Sequence, residues 1–210
     1  EGIALRKSMP GDAVIIVFDG LMAADTAPEF DAHSLTPVLN SPGDIKSWSH
    51  HATNGGNRSA FLALDTGMNR LGLSPAEVEA IAEKPELLDG IEIAYVMSHL
   101  ACADEATHPQ NSRQRQLFDA LRAKLPATKA SFANSAGIFL GPEYHYDLAR
   151  PGAALYGVSR GCGAPAGGDG VNGSSVWPSP GLGIWLSTTP PFRTISSARD
   201  ADSSRPNPER

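Results

Sequence analysis

The 210 residues are 41% hydrophobic and 19% charged, the composition of a globular chain with one sizeable core and room for a small second domain. A net charge of −6 argues against nucleic acid as a partner, and no apolar run approaches the roughly 20 residues that cross a bilayer. Cys102 and Cys162 make neither a metal-ligand spacing nor a disulfide framework, no metal site is expected, and with no secretory pattern at the start the expected compartment is the cytoplasm.

Glu1 to Ser8 reads as the end of a helix, stopped by Pro10 and Gly11. Ala13 to Phe18 is short, apolar and β-branched, as in a strand buried on both faces, and Thr36 to Asn40 is a weaker strand candidate. Ser41-Pro42-Gly43-Asp44 and Ser74-Pro75-Ala76-Glu77 each place a capping serine before proline with an acid three residues on, and Thr107-His108-Pro109-Gln110 is a looser version. Behind these caps Ile45 and Trp48 share a face, Val78, Ile81 and Ala82 form a stripe, and so do Gln114, Leu117, Phe118, Leu121 and Leu125. Between the helices lie further apolar runs, Phe61–Leu64, Ile93–Met97, Ala130–Ala133 and Ala153–Tyr156. Six strand candidates alternating with helices predict an α/β fold with a parallel sheet. The alternation alone suits an open doubly wound sheet and a (β/α)8 barrel equally.

The composition changes near Gly157. From Ser159 to Arg210 the chain has five Arg, no Lys and four acids, with eight of the 21 Gly and seven of the 17 Pro. The first 158 residues carry 12 basic and 19 acidic groups, a net −7 against +1 for the tail. The expected division is a folded domain over 1–158 and an irregular, low-order tail over 159–210, in which Trp177, Trp185 and Phe192 have no core-building period.

Phe61 to Gly72 is the most informative stretch. An apolar run turns abruptly polar and glycine-bearing, as a strand does where it meets a loop, and the loop presents Arg70. In a barrel of parallel strands, that edge binds ligands. The segment DTGMNRLG (65–72) resembles the signature of alanine racemases, enzymes that carry pyridoxal phosphate (PLP) in a (β/α)8 barrel. Ser98-His99-Leu100-Ala101, Asn134-Ser135-Ala136-Gly137 and Arg150-Pro151-Gly152 resemble further segments of that family, in the same order. The similarity covers about 1–158. It implies a partial (β/α)8 TIM-type barrel of about six of eight βα units, with about two units preceding Glu1, and a tail whose sequence departs so abruptly that an out-of-frame end is the preferred reading.

The resemblance also implies roles. His99 lies against the face of the pyridine ring; Asn134, Ser135 and the backbone N–H groups of Gly152 and Ala153 belong to the phosphate end; Arg150 donates to the pyridine nitrogen; Arg70 donates to the phenolic oxygen and meets the substrate carboxylate. The implied activity is interconversion of L- and D-alanine, for peptidoglycan or for alanine catabolism, by a homodimer. Two departures stand out. Many relatives have a carbamylated lysine where this chain has Ala63, and neither the cofactor-binding lysine segment nor the opposing catalytic tyrosine has a counterpart here, so no catalytic acid–base residue is assigned and this chain alone is expected to be inactive. Another PLP-barrel amino-acid racemase and a non-catalytic PLP-binding protein are the alternatives.

Overall fold

The computed structural model describes residues 1–9 and 11–156; the expectations for the 159–210 tail lie outside the described residues. A short helix α1 (Gly2–Arg6) leads to β1 (Ile15–Val17), then α2 (Ala27–Ala32), β2 (Leu35–Leu39), α3 (Pro42–Thr53), β3 (Ser59–Ala63), α4 (Pro75–Glu83), β4 (Glu92–Met97), α5 (Pro109–Arg122) and β5 (Lys129–Ser131). The strands form one sheet in the order β1-β2-β3-β4-β5, every neighbouring pair parallel. Spatial order equals chain order, with no reversal. A doubly wound sheet reverses at its switch point, whereas barrel strands follow one another around. The described residues therefore form a partial (β/α) barrel.

The sequence explains the two faces. Alternating strand residues divide into a large cluster under the helices, including Leu39, Leu62, Val96 and Phe132, and a smaller inner one of Val38, Phe61, Ala63 and Met97. All five residues of β2 are buried, so the strand that reads weakest in sequence is the most enclosed. Its Pro37 is accommodated because the ladder to β3 begins only at Val38, where an N–H is available again. A register shift between Ala60 and Phe61 takes their β4 partners from Ile93 to Tyr95 and leaves Ala94 extra, so Ala94 and Tyr95 both join the inner cluster. Phe61 and Tyr95 meet there with centroids 4.9 Å apart.

The helix caps form as their residue types dictate. Ser74 accepts from the Glu77 amide at 3.3 Å while Glu77 accepts from the Ser74 amide at 2.7 Å, a complete capping box. Ser41 caps α3 in the same way, through the Asp44 amide. At α5 the cap is His108 rather than Thr107, its Nδ1 accepting from the Gln110 amide. The α5 stripe then packs as its period requires, Phe118 stacking on Phe132 at 4.9 Å with Tyr146 edge-on to both.

One strand candidate is corrected. Ala153–Tyr156 forms a turn of 3-10 helix. The sheet instead extends through residues 147–150: Leu148 bridges Ser131 in parallel, and the amides of Asp147 and Arg150 donate to the carbonyls of Ala130 and Ala133 at 3.0 and 2.9 Å. Six positions along the sheet are thus filled, the last by a single bridge. The helix α2, with Phe30 edge-on to Trp48, has no forerunner in the sequence reading.

Ser74→Ala removes one arm of the capping box. Urea unfolding should show a loss of about 1 kcal/mol, with unchanged far-ultraviolet dichroism.

Candidate functional site

All five strands run the same way, so their carboxyl ends share one rim. At that rim a cleft opens, lined by Phe18 after β1, Val38 and Asn40 of β2 and its end, Asp65, Met68 and Arg70 after β3, and Met97, Ser98 and His99 at the end of β4.

The loop after β3 is built by its own letters. The Asp65 Oδ1 accepts from the amides of Gly67, Met68 and Asn69 at 2.9, 3.0 and 3.1 Å, drawing the chain into a tight hook. The hook needs left-handed backbone at Asn69, a residue type that tolerates it (φ 56°), and at Gly72 (φ 108°). At Gly72 a Cβ would lie 2.8 Å from the Asp65 nitrogen, so only glycine fits. The loop returns to the sheet through Asp65 N–H to Leu73 O at 2.9 Å and Leu73 N–H to Ala63 O at 2.8 Å. Arg70 is left exposed, without a hydrogen bond to any described residue. Ala63, where a lysine was noted as missing, is buried in the inner cluster.

Arg150 reaches the rim from the far side. Its Nη1 donates to the Ser131 hydroxyl, and its Nη2 donates to the Ser98 carbonyl at 2.6 Å and the Phe132 carbonyl at 3.5 Å. No ion pair to Asp147 forms; that carboxylate instead accepts from the Ala130 amide at 2.7 Å. The guanidinium lies 6.0 Å from the centre of the Phe18 ring, at the cleft wall. Burial lowers the Arg150 pKa to about 10, which leaves it charged near neutral pH.

His99 sits among these charges. Burial first, then the charges of Arg150 and Arg70, lower its pKa to about 4. It is therefore neutral near pH 7. Asn134 fixes the tautomer: its Oδ1 accepts from the Gly137 amide at 2.9 Å, so its Nδ2 donates, to Leu100 O at 3.2 Å and toward His99 Nε2 at 3.4 Å. Nε2 then accepts and Nδ1 carries the proton.

Ser135, Gly152 and Ala153 form the adjoining end of the rim. The Ser135 hydroxyl accepts from the Ala154 amide at 3.2 Å, and the Gly152 amide donates to the Arg150 carbonyl at 3.0 Å. The structure thus gathers Arg70, His99, Asn134 and Arg150 about the cleft and sets Ser135, Gly152 and Ala153 beside them. Sequence reasoning missed four buried polar residues, Ser98 at the cleft wall and Thr66, Gln114 and Ser131 behind it. The available signal was Gln114, the polar member of an otherwise apolar stripe.

The shifted histidine has a consequence for stability. With pKa about 4 when folded and about 6.5 when unfolded, His99 binds more protons unfolded between those values, so acid should destabilise the fold across that window. Stability measured from pH 6.5 to 4 should fall less steeply in His99→Gln; an identical slope would show that His99 titrates normally.

Residues 1–160 match the family model described as the alanine racemase N-terminal domain. The chain is 53% identical over 166 residues to the catabolic alanine racemase of Mesorhizobium japonicum, covering 79% of this chain and 43% of that protein. It is 46% identical over 158 residues to the alanine racemase of Rhodospirillum rubrum, covering 75% and 42%. The crystal structure of alanine racemase from Bartonella henselae with covalently bound pyridoxal phosphate superposes with a TM-score of 0.72 at 35% identity, over 76% of this chain and 46% of that one. This chain spans less than half the length of those relatives. With strands in barrel order and an arginine-bearing rim already established, the match over 1–160 decides the family: this chain belongs to the alanine racemases, through their N-terminal domain.

Proposed function

We propose that this chain supplies the PLP-holding part of an alanine racemase barrel, residues 1–158, and that the whole protein interconverts L- and D-alanine as a homodimer. The observation that carries this reading is the surplus of donors at the rim. Arg70 and Arg150 flank a neutral His99, and the lining carboxylate Asp65 has one oxygen engaged by three amides of its own loop. Such a rim suits an anionic, acceptor-rich, flat ligand. PLP, with a phosphate, a phenolic oxygen and a ring nitrogen, fits that donor set.

In this reading Arg150 donates to the ring nitrogen. A guanidinium with a pKa of about 10 keeps its protons at neutral pH, so it holds that nitrogen unprotonated. His99, flat and neutral, packs against the ring face and is held in plane by Asn134. Ser135 and the amides at Gly152 and Ala153 take the phosphate, the Gly152 amide giving up its bond to the Arg150 carbonyl to do so. Arg70 meets the phenolic oxygen and the carboxylate of alanine. Bound there, the cofactor would supply an electron-withdrawing ring that acidifies the α-carbon of the amino acid. By withholding a proton from that nitrogen, Arg150 would limit charge build-up on the ring and so favour proton return to the α-carbon over side reactions.

Racemisation also needs one base on each face of that carbon. The five lysines lie away from the rim: Lys7 after α1, Lys46 on α3, Lys84 after α4, Lys124 paired with Glu79, and Lys129 at the start of β5 with its Nζ 5.9 Å from the Tyr95 ring centre. We assign the two proton-transfer groups to other parts of the whole protein, since no lysine of this chain reaches the rim and the family's opposing tyrosine has no counterpart segment here. The same division makes the 210-residue chain a binding element without turnover.

Titrated with PLP, the chain should bind it reversibly, Arg150→Ala should bind at least about tenfold more weakly, and alanine should yield no D-alanine above a PLP-only control. Equal affinity in Arg150→Ala would remove Arg150 from the site. Turnover well above the control would show that a residue of this chain replaces the missing base.

A further inference from the structure

Behind the rim lies a buried polar knot that the cofactor contacts do not use. Gln114, midway along α5, is 0% exposed on a buried face it shares with Asn111, Phe118 and Leu121. Its Nε2 donates to the His99 carbonyl at 2.9 Å and to Thr66 Oγ1 at 3.2 Å, and its Oε1 accepts from the Ala101 amide at 2.9 Å. The hydroxyls of Thr66 and Ser98 share a hydrogen bond of 2.8 Å, both side chains buried. The Ser98 carbonyl in turn accepts from Arg150. One turn before Gln114, Gln110 donates to the Gly67 carbonyl at 3.4 Å.

This chain of bonds joins the loop bearing Arg70, the strand end bearing His99, and Arg150. Packing alone does not require it, since methionine would fill the place of Gln114 with a similar volume. A glutamine there satisfies a carbonyl and an amide of one loop and a hydroxyl of another. Losing it leaves those groups unpaired in a dry place, where the loops would gain by moving. Gln114 and Thr66 do not line the cleft, so they act through other residues.

We infer that Gln114 and Thr66 are positioning residues, which lock the His99 ring in register with Arg70 and Arg150 and so set the affinity of the rim for its cofactor. The inference rests on reading the site as a PLP site. It extends that reading from the residues that touch the ligand to the device that aligns them.

The test uses the 210-residue chain with Gln114→Met, Thr66→Val and Thr66→Ser. Amide exchange at Ala101 needs no ligand and reports the Gln114 bond directly; PLP titration reports the consequence. Gln114→Met should speed exchange at Ala101 about tenfold while Leu39, in the core of β2, keeps its protection. Gln114→Met and Thr66→Val should each weaken PLP binding at least about fivefold, and Thr66→Ser, which keeps the hydroxyl, should stay within about twofold of the parent. Parent-like affinity in both Gln114→Met and Thr66→Val would overturn the inference, as would Thr66→Ser binding no better than Thr66→Val. If Gln114→Met does not fold, the Val and Ser pair decides. A parent chain that binds no PLP would overturn the site reading and the cofactor role with it, while faster exchange at Ala101 would still show the His99 loop held by Gln114.

Discussion

A permanent charge has to be accommodated at the inner ends of β4 and β5, and the rim is organised by how that is done. Arg150 cannot shed its proton near neutral pH, so the groups around it must be acceptors: the Ser131 hydroxyl and the carbonyls of Ser98 and Phe132. Those bonds tie the 147–150 segment to the sheet at a place where its ladder is a single bridge. The same charge, after burial, is the largest contributor to keeping His99 neutral. One residue thus closes the far side of the described sheet and sets the electrostatics of the cleft.

The opposite wall is held by geometry rather than charge. Asp65 gathers three amides, Asn69 and Gly72 take backbone that other residue types resist, and Arg70 is the charged side chain among the exposed residues 69–71. The eight-residue signature therefore reads as a folding instruction, in which most letters shape the hook and one is offered to a ligand. Thr66 is the exception; it points the loop inward to the buried hydroxyl of Ser98.

Much of this was legible in the sequence because it is local. Caps at Ser41 and Ser74 and the apolar runs of β3 and β4 depend on neighbours a few residues away, and they form where the letters place them. Parallel strands bring their ends together whatever lies between, so the structure gathers the residues of the family-like segments at one rim. What was not legible depends on distance. Ala153–Tyr156 looks like a strand by composition, yet the sheet position is taken by residues 147–150, whose polar letters are satisfied by Ser131 and the Ala130 backbone. Gln114 passed as one position of a helical stripe, because nothing in its surroundings along the chain announces partners at Thr66 and His99. Periodicity leaves a barrel and a doubly wound sheet equally open; the family resemblance implies the barrel, and the strand order bears it out.

PLP should be received at the carboxyl-end rim. Backbone amide shifts of the isotopically labelled 210-residue chain, recorded as PLP is added, test this directly. Perturbations should concentrate at Arg70, His99 and Ala101, Ser135 and Gly152, while the opposite edge at Leu125, Ala127 and Lys129 stays still. Shifts centred on the lysines at 46, 84, 124 and 129, with the rim unmoved, would contradict it.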